Sequence, residues 1–512
     1  VIRPTAAALA AALLPQAAQA AEPGAIDAFF GVLNGRLASV IFYDVFPGEP
    51  VMPFIVAWLI VGALFLTLRL SFVNLRMMGH AFAVLRGKYR TADDRGEVSP
   101  FQALTTALSA TVGLGNIAGV AIAISIGGPG ATFWMIVAGF LGMTTKFTEA
   151  TLAQRYREVR PDGHIMGGAM EYLSKGFAEF NLPRTGKTLA VMFAVFTILG
   201  SFGAGSAFQV SQSLGAVQEQ LPFFNEMPIA YGFIVAVLVG VVIIGGLRRI
   251  AHVAEAVVPS MIVIYLGACL WIVLGNIEQL PHALSRIVTE AFAPIAVAGG
   301  MVGVLVQGFK RAVFSSEAGL GSAAIVHSTA AVKYPIRQGL VALYEPFIDT
   351  IIICTMTALV IIITGVYNDP ATLALREASK GAALTSVAFA TVSDWFPIIL
   401  TLSVVLFAYS TMISWSYYGE RCWAYLFGER TSIVYRILFL VFIVVASVAS
   451  AANMLDFTDL LVLAMAFPNF LGLYLLSGKV RSMLNEYETR LRDGVLDREA
   501  GRTSMATRRS RA

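Results

Sequence analysis

Apolar residues fill this chain in runs of roughly twenty, the length a helix needs to cross a bilayer, with short polar or basic stretches between them. The runs fall at about residues 53–70, 101–126, 131–154, 188–217, 229–246, 255–275, 297–325, 338–366, 396–419, 432–452 and 458–477. They predict an all-α integral membrane protein of about eleven transmembrane helices. Basic residues mark the cytoplasmic ends of spans. Arg69, Arg76, Arg86, Lys88, Arg90 and Arg95 follow the first span; Arg155, Arg157 and Arg160 follow the third; Arg248 and Arg249 follow the fifth. Lys333, Arg337, Arg421, Arg430 and Arg436 keep the alternation, and the tail from Lys479 onward is strongly basic. The intervening loops are nearly free of Lys and Arg, apart from Arg286, Arg376 and Lys380. The expected topology therefore starts outside and ends in the cytoplasm.

Composition agrees: 57% of the 512 residues are hydrophobic and only 13% charged, where soluble domains carry about 25% charged residues. The mean hydropathy is +0.74. Cys269, Cys354 and Cys422 lie in or beside apolar runs without a CxxC pair, and the five histidines are scattered. No disulfide framework, metal motif or nucleic-acid-binding pattern is present, and no cofactor is expected. Arg3, an alanine-rich run and Ala18-Gln19-Ala20 have the form of a secretory signal over residues 1–20, the alternative being an alanine-rich tail. The expected organisation continues with residues 21–100, which hold the extra helix 53–70 and a basic loop. Two five-helix units at 101–276 and 297–478 follow, then a basic tail at 479–512.

Two spans are interrupted. Residues 109–130, SATVGLGNIAGVAIAISIGGPG, are apolar but contain Gly113, Gly115, Asn116 and Gly119. Each glycine costs about 1 kcal/mol in a helix interior, so the cluster predicts an unwound turn. Irregular backbone at membrane depth is tolerated where protein buries it or where it lines a cavity. A glycine surface for close helix packing is the alternative. Setting aside the first span leaves two groups of five helices. An odd number of crossings inserts the second group upside down, and such inverted repeats place a binding site between their interrupted first helices. The second group's first helix is interrupted too: residues 308–322, GFKRAVFSSEAGLGS, place Ser315, Ser316, Glu317 and Gly319 in an apolar stretch.

The segments VGLGNIAGVAIAISIGGPGATFWM, GFKRAVFSSEAGLGSAAIVHSTA, LYEPFIDTIIICTMTAL and YSTMISWSYYGE, in that order, resemble the alanine or glycine:cation symporter family, from about Ser71 to Lys479. The resemblance implies the five-plus-five inverted-repeat fold shared with the neurotransmitter:sodium symporters, whose first core helix carries a similar VGLGN. It implies a secondary active transporter, not an enzyme, that takes up a small neutral amino acid such as alanine, glycine or serine with sodium by alternating access. Proton coupling or another amino-acid specificity is the alternative. A channel would show filter residues, and a membrane enzyme would need a nucleophile–base pair or a metal cluster. The expected location is a bacterial inner membrane.

A zwitterion needs donors for its carboxylate and acceptors for its ammonium. Amides of the Gly113–Asn116 turn can be the donors. The resemblance further implies that Thr111, Gly115 and Asn116 line the pocket. Ser315 and Ser316 would face the ammonium, Phe314 would form a wall, Gln209 would be a polar contact and Trp415 would close the pocket. Interfacial anchoring is the other use of a tryptophan here. Ser410 and Thr411, with the carbonyl of Phe407 one turn earlier and those of Ser109 and Val112 at the break, form the five-oxygen sodium site the resemblance implies. On spacing alone, Ser410 and Thr411 could equally bond back to carbonyls of their own helix. Glu345 and Asp349, four apart on one face, are expected in an ion-pair cluster with Lys333 and Arg337 at a cytoplasmic gate. Glu317 is expected to partner Lys310 or Arg311, and Lys146 to pair with Glu149. Three departures from the family pattern bear on specificity: Ser316 in FSSEAG, and Ser206 and Ser211 around Gln209, each replace an amide with a hydroxyl.

Overall fold

The computed structural model describes residues 25–44, 52–91, 93–160, 164–293 and 300–501. The signal expected at residues 1–20 and the end of the basic tail lie outside these. The described chain is almost entirely helical, with one short hairpin in which Glu158–Val159 pairs antiparallel with Ile165–Met166. Among the described residues five helices are long and apolar enough to cross a membrane: Pro183–Gln220, Gly246–Gly275, Pro335–Thr364, Phe396–Phe427 and Ala451–Arg492. The bent pair Pro100–Thr111 and Gly115–Gly127 forms a sixth. Phe54–Arg69 and Pro228–Ile243 are shorter apolar helices at predicted spans.

Helix starts follow local chemistry. Ser99 caps the Pro100–Thr111 helix through a reciprocal pair: its hydroxyl accepts from the Gln102 amide at 3.1 Å, and the Gln102 side chain accepts from the Ser99 amide at 3.0 Å. Proline at the first helical position suits a helix entry. The first helix then breaks after Thr111, and its halves diverge by 52°. Its second half begins with a π-helical turn at Gly115–Gly119.

The second interruption lies later than the centre of residues 308–322. Gly300–Ser316 is a continuous helix, and regular structure ends at Glu317, where φ is +55°. Gly319 and Gly321, at φ +94° and +81°, carry the chain through backbone that other residues rarely adopt. The irregular stretch that follows is tied down from the Gly130–Tyr156 helix. The Gln154 amide donates to the carbonyls of His327 at 2.6 Å and Ala330 at 3.0 Å. Arg157 donates to Ser328 and Ala330 at 2.9 and 2.7 Å. Such partners are what irregular backbone requires where water is excluded.

Two further π-helical turns occur inside long helices, at Gly203–Ala207 and at Phe347–Cys354. The Phe347–Cys354 turn packs on the first break, and the Gly203–Ala207 turn presents the Ala204 carbonyl to Gln209, which reaches that break. Large apolar side chains on Pro228–Ile243 and Ser432–Ala446, among them Ile234, Val237, Leu238, Val241, Ile437 and Val441, point outward, as lipid-facing helices require. Helices missed in the sequence are short or weakly apolar: Ala169–Ala178, Leu280–Glu290 and Gly381–Ala390.

Gly381 lets its helix pack directly on the first broken helix. A Cβ there would lie 2.2 Å from the Ala118 carbonyl oxygen, a backbone atom with no flexible end to yield. Gly381→Ala is expected to destabilise the protein by about 1–3 kcal/mol, read as an earlier thermal melt of the purified protein. Gly267→Ala, where nothing lies within 4 Å, is the control; equal melts for the two variants would refute this packing.

Candidate functional site

The unwound turn is held by side chains from three directions. The Gly113 N–H donates to the Asn116 side-chain oxygen at 2.9 Å, and the Leu114 N–H to that of Gln209 at 3.1 Å. Gln209 in turn donates to the Ala204 carbonyl at 2.9 Å, inside the π-turn of its own helix. Asn116 donates to Asp349, at 2.6 Å to the carboxylate and 3.1 Å to the carbonyl. The amides of Gly113 and Leu114 are therefore occupied by the protein's own amide side chains. Asn116 is directed at Asp349, and the Thr111 hydroxyl turns back to the Ala107 carbonyl at 3.2 Å.

Oxygen atoms from the first break and the Phe396–Phe427 helix converge nearby. The Ser109 hydroxyl donates to the Ser410 carbonyl at 2.7 Å, and the Thr411 hydroxyl donates to the Ser109 carbonyl at 3.2 Å. The Ser410 hydroxyl donates to the Phe407 carbonyl at 3.0 Å and approaches the Ser109 carbonyl at 3.5 Å. Ser410 thus makes the one-turn bond within its own helix, whereas Thr411 reaches across to the broken one. Val112 has left helical geometry, with ψ at +80°. Gly113 makes the approach possible, because a Cβ there would sit 2.3 Å from the Thr411 hydroxyl oxygen.

Apolar walls flank this polar group. Phe314 packs edge-on against Phe208, ring centroids 4.9 Å apart. A Cβ at Gly115 would meet the Phe314 ring and the Ser315 Cα, both at 3.2 Å, so the two broken helices touch at this glycine. Trp415 is buried and covers Gly205 in the π-turn, where an added Cβ would come within 2.5 Å of the tryptophan's own Cβ. Such burial removes the interfacial-anchor reading of Trp415. Ser315 donates to the Asp349 carboxylate at 3.0 Å, and Ser316 bonds back to the Ala312 carbonyl at 2.9 Å. Ser206 and Ser211 likewise satisfy themselves on Phe202 and Phe208 carbonyls of their own helix.

The acidic residues pair differently from expectation. Glu345 receives the Lys146 ammonium at 2.8 Å and lies 3.1 Å from the His327 Nε2. Lys333 faces Asp93 and Glu499 instead, and Arg337 donates to the Tyr89 carbonyl. Asp349, one turn beyond Glu345, is turned toward Asn116, Ser315 and Thr350 (2.7 Å); it belongs to the central site and not to a cluster with Lys333 and Arg337. The π-turn at Phe347–Cys354 is the physical reason, since it changes the face that Asp349 presents. Lys310 and Arg311 both pair with Asp459, not with Glu317, which accepts from Ser322. Glu149 accepts from Asn469 at 2.6 Å and from the Gly321 amide at 3.1 Å, not from Lys146.

Interrupted helices facing one another across a buried polar centre are the arrangement of inverted-repeat membrane folds, and three quarters of the backbone follows one such fold. The chain superposes on the crystal structure of MhsT in complex with L-phenylalanine with a TM-score of 0.54, at 15% identity, covering 75% of this chain and 89% of that one. Residues 42–500 match the sodium:alanine symporter family, and the chain belongs to it. It is 41% identical over 431 residues to the sodium/alanine symporter AgcS of Methanococcus maripaludis, covering 84% of this chain and 93% of that protein. It is 35% identical over 434 residues to the probable sodium/glutamine symporter GlnT of Bacillus subtilis, covering 84% and 87%. The protein is thus a multi-pass membrane transporter of an amino-acid:cation symporter family, and not an enzyme.

Asn116 both accepts from the break and donates to Asp349. Asn116→Ala would leave the Gly113 amide only the Thr111 carbonyl at 2.8 Å and would take the amide donor from the buried Asp349 carboxylate, at a cost of about 1–3 kcal/mol. The purified variant should melt earlier than wild type; a melt at the wild-type temperature would show that this strut is dispensable.

Proposed function

We propose that the protein carries a small neutral amino acid into the cell together with sodium, by alternating access between two inverted five-helix repeats. The observation that carries this reading is the bond from Thr411 to the Ser109 carbonyl across the first break. A hard cation takes several oxygens at close range, and here hydroxyls and carbonyls from two separate helices already meet. A sodium ion held by Ser109, Val112, Phe407, Ser410 and Thr411 would join the broken helix to the Phe396–Phe427 helix. Ordering of the turn by sodium would then raise amino-acid affinity, and the amino acid must raise sodium affinity by the same factor.

The substrate would bind beside the turn, with Gly113 and Gly115 allowing close backbone approach and Thr111, Asn116, Gln209, Ser315 and Ser316 as the polar lining. Gln209 and Asn116 already occupy amides of the turn, so a substrate carboxylate would take over those donors. Phe314 and Trp415 bound the side-chain space and favour alanine, glycine or serine. The relatives' names span alanine and glutamine, and the hydroxyls at Ser206, Ser211 and Ser316 are where this chain would set its own preference. Ion pairs Lys146–Glu345 and Arg311–Asp459 would hold the two faces of the site in register. The chain would start outside and end in the cytoplasm.

Uptake of radiolabelled alanine into proteoliposomes, with each common amino acid as competitor, tests the substrate. Alanine, glycine and serine should compete; competition by glutamine alone would move the specificity elsewhere within the family. Thr411→Ala should raise the sodium concentration needed for half-maximal uptake by about tenfold, the loss of one good ligand at roughly 1.4 kcal/mol. Gln209→Ala should raise the half-saturating amino-acid concentration by a similar factor. A sodium activation curve identical to wild type in Thr411→Ala would remove that residue from the ion site.

A further inference from the structure

Away from the central site, on the side of the basic loop, a cavity of about 220 Å³ lies between the two broken helices. Its walls come from the loop between residues 84 and 94, from the start of the Pro100–Thr111 helix, and from the Pro335–Ala342 helix with the stretch before it. Two of these segments are already joined by backbone. The Glu97 amide donates to the Thr329 carbonyl and the Ala331 amide to the Val98 carbonyl, both at 2.8 Å. Three arginines line the cavity, Arg86, Arg90 and Arg337, against one carboxylate, Asp94. Positive charge is therefore in excess.

Arg337 forms the base and is 2% exposed. Its guanidinium lies between the rings of Tyr334 and Tyr89, 4.8 and 5.8 Å from their centroids. Its Nη1 donates to the Tyr89 carbonyl at 2.7 Å and stands 3.9 Å from Asp94. The Tyr487 phenol, already bonded to His80 at 2.9 Å, lies beside it. Asp94 is itself engaged elsewhere, accepting from the Thr91 amide at 2.9 Å, the Thr91 hydroxyl at 3.2 Å and the Lys333 amide at 2.8 Å. A carbonyl, a phenol and a carboxylate at the limit of ion-pair range thus share a guanidinium with five donors. A buried cation so thinly paired favours a further anion, and the planar fork of an arginine matches the oxygens of a phosphate.

The rim differs from the base. Arg86 and Arg90 are exposed, and Arg86 lies over the Phe82 ring, 4.2 Å from its centroid. Phe82 and Phe101 are themselves exposed, and Leu85 and Phe101 line the cavity. Apolar surface at the mouth of a cationic pocket serves nothing in a free inorganic anion. It suits a phospholipid, whose phosphate would meet the arginines while its chains lie along the phenylalanines. Basic pockets beside cytoplasmic helix ends recognise lipid headgroups by this chemistry.

We propose that this pocket binds the phosphate of an anionic phospholipid, with Arg337 at its base and Arg86 and Arg90 at its rim. Seated there, the headgroup ties the segment entering the first broken helix to the segment leaving the second. It therefore favours the arrangement in which those two segments are joined. That the lipid belongs to the cytoplasmic leaflet rests on the topology proposed above; the pocket's chemistry does not.

The test is the melting temperature of the purified full-length protein in uncharged detergent, titrated with short-chain dioctanoyl phosphatidylglycerol. Sodium and amino acid are absent throughout, so a failure of the transport reading leaves the test intact. The melt should rise and saturate, and dioctanoyl phosphatidylcholine and inorganic phosphate at the same concentrations should raise it far less. An Arg86→Gln, Arg90→Gln double variant changes two exposed residues and should melt like wild type without lipid. It should need about tenfold more phosphatidylglycerol or above for the same rise, two cations having been lost. An Arg248→Gln, Arg249→Gln double variant, in a different basic loop, should respond like wild type. No rise with phosphatidylglycerol would overturn the proposal, as would an equal rise in the Arg86, Arg90 variant. An equal loss in the Arg248, Arg249 variant would reduce the effect to general charge attraction and overturn it too. A rise with inorganic phosphate equal to that with phosphatidylglycerol would assign the pocket to free phosphate and overturn the lipid as its ligand.

Discussion

Every peptide group at membrane depth must find a partner inside the protein, and the interruption at Val112–Gly115 is where that demand is greatest. The turn is stable because Asn116 and Gln209 supply side-chain oxygens to the Gly113 and Leu114 amides. Those amides recruit further elements in turn. Asn116 needs Asp349, Asp349 needs Ser315, and Gln209 needs the Ala204 carbonyl that the Gly203–Ala207 turn presents. Two π-helical turns and both broken helices are thus bound into one polar centre. Glycine at 113 and 205 then brings Thr411 and Trp415 against it at distances a Cβ would not permit, and Gly115 lets the Phe314 ring pack closely.

Charge is arranged around that centre by the same logic. Arg311 and Lys310 share Asp459, and Lys146 shares Glu345 with His327. Each pair joins helices far apart in sequence, across which a transporter must move. Buried ion pairs contribute little net stability because desolvation offsets their attraction, but removing one partner is costly. Such pairs are suited to fixing register between helices while leaving the alternative arrangement within reach. Toward the lipid, by contrast, helices such as Pro228–Ile243 present unbroken apolar faces.

The long spans were legible because hydropathy and the Lys/Arg bias report directly on the bilayer. The first break was legible for a related reason: an asparagine among glycines in an apolar run weighs against a simple packing surface and for an unwound turn. The second break was found by its correspondence to the first, but its position was not, because Ser315 and Ser316 remain helical and the turn waits for Glu317 and Gly319. The expected cluster of Glu345 and Asp349 with Lys333 and Arg337 fails because residues four apart share one face only on a regular helix. The Phe347–Cys354 turn separates them, and nothing in FIDTIIIC announces it. Pairings such as Arg311 with Asp459 or Tyr172 with Asn469 join residues more than a hundred positions apart, and one sequence carries no local signal of them.

The account stands on sodium binding between the first break and the Phe396–Phe427 helix. A ligand that binds only the folded state stabilises it by an amount that grows with the logarithm of its concentration. The most direct measurement is therefore the melting temperature of the purified protein as choline is replaced by sodium at constant ionic strength, with no amino acid present. The account predicts a melt that rises with sodium in wild type and is flat in a Ser410→Ala, Thr411→Val double variant. A wild-type melt indifferent to sodium, or an equal rise in the double variant, would contradict it.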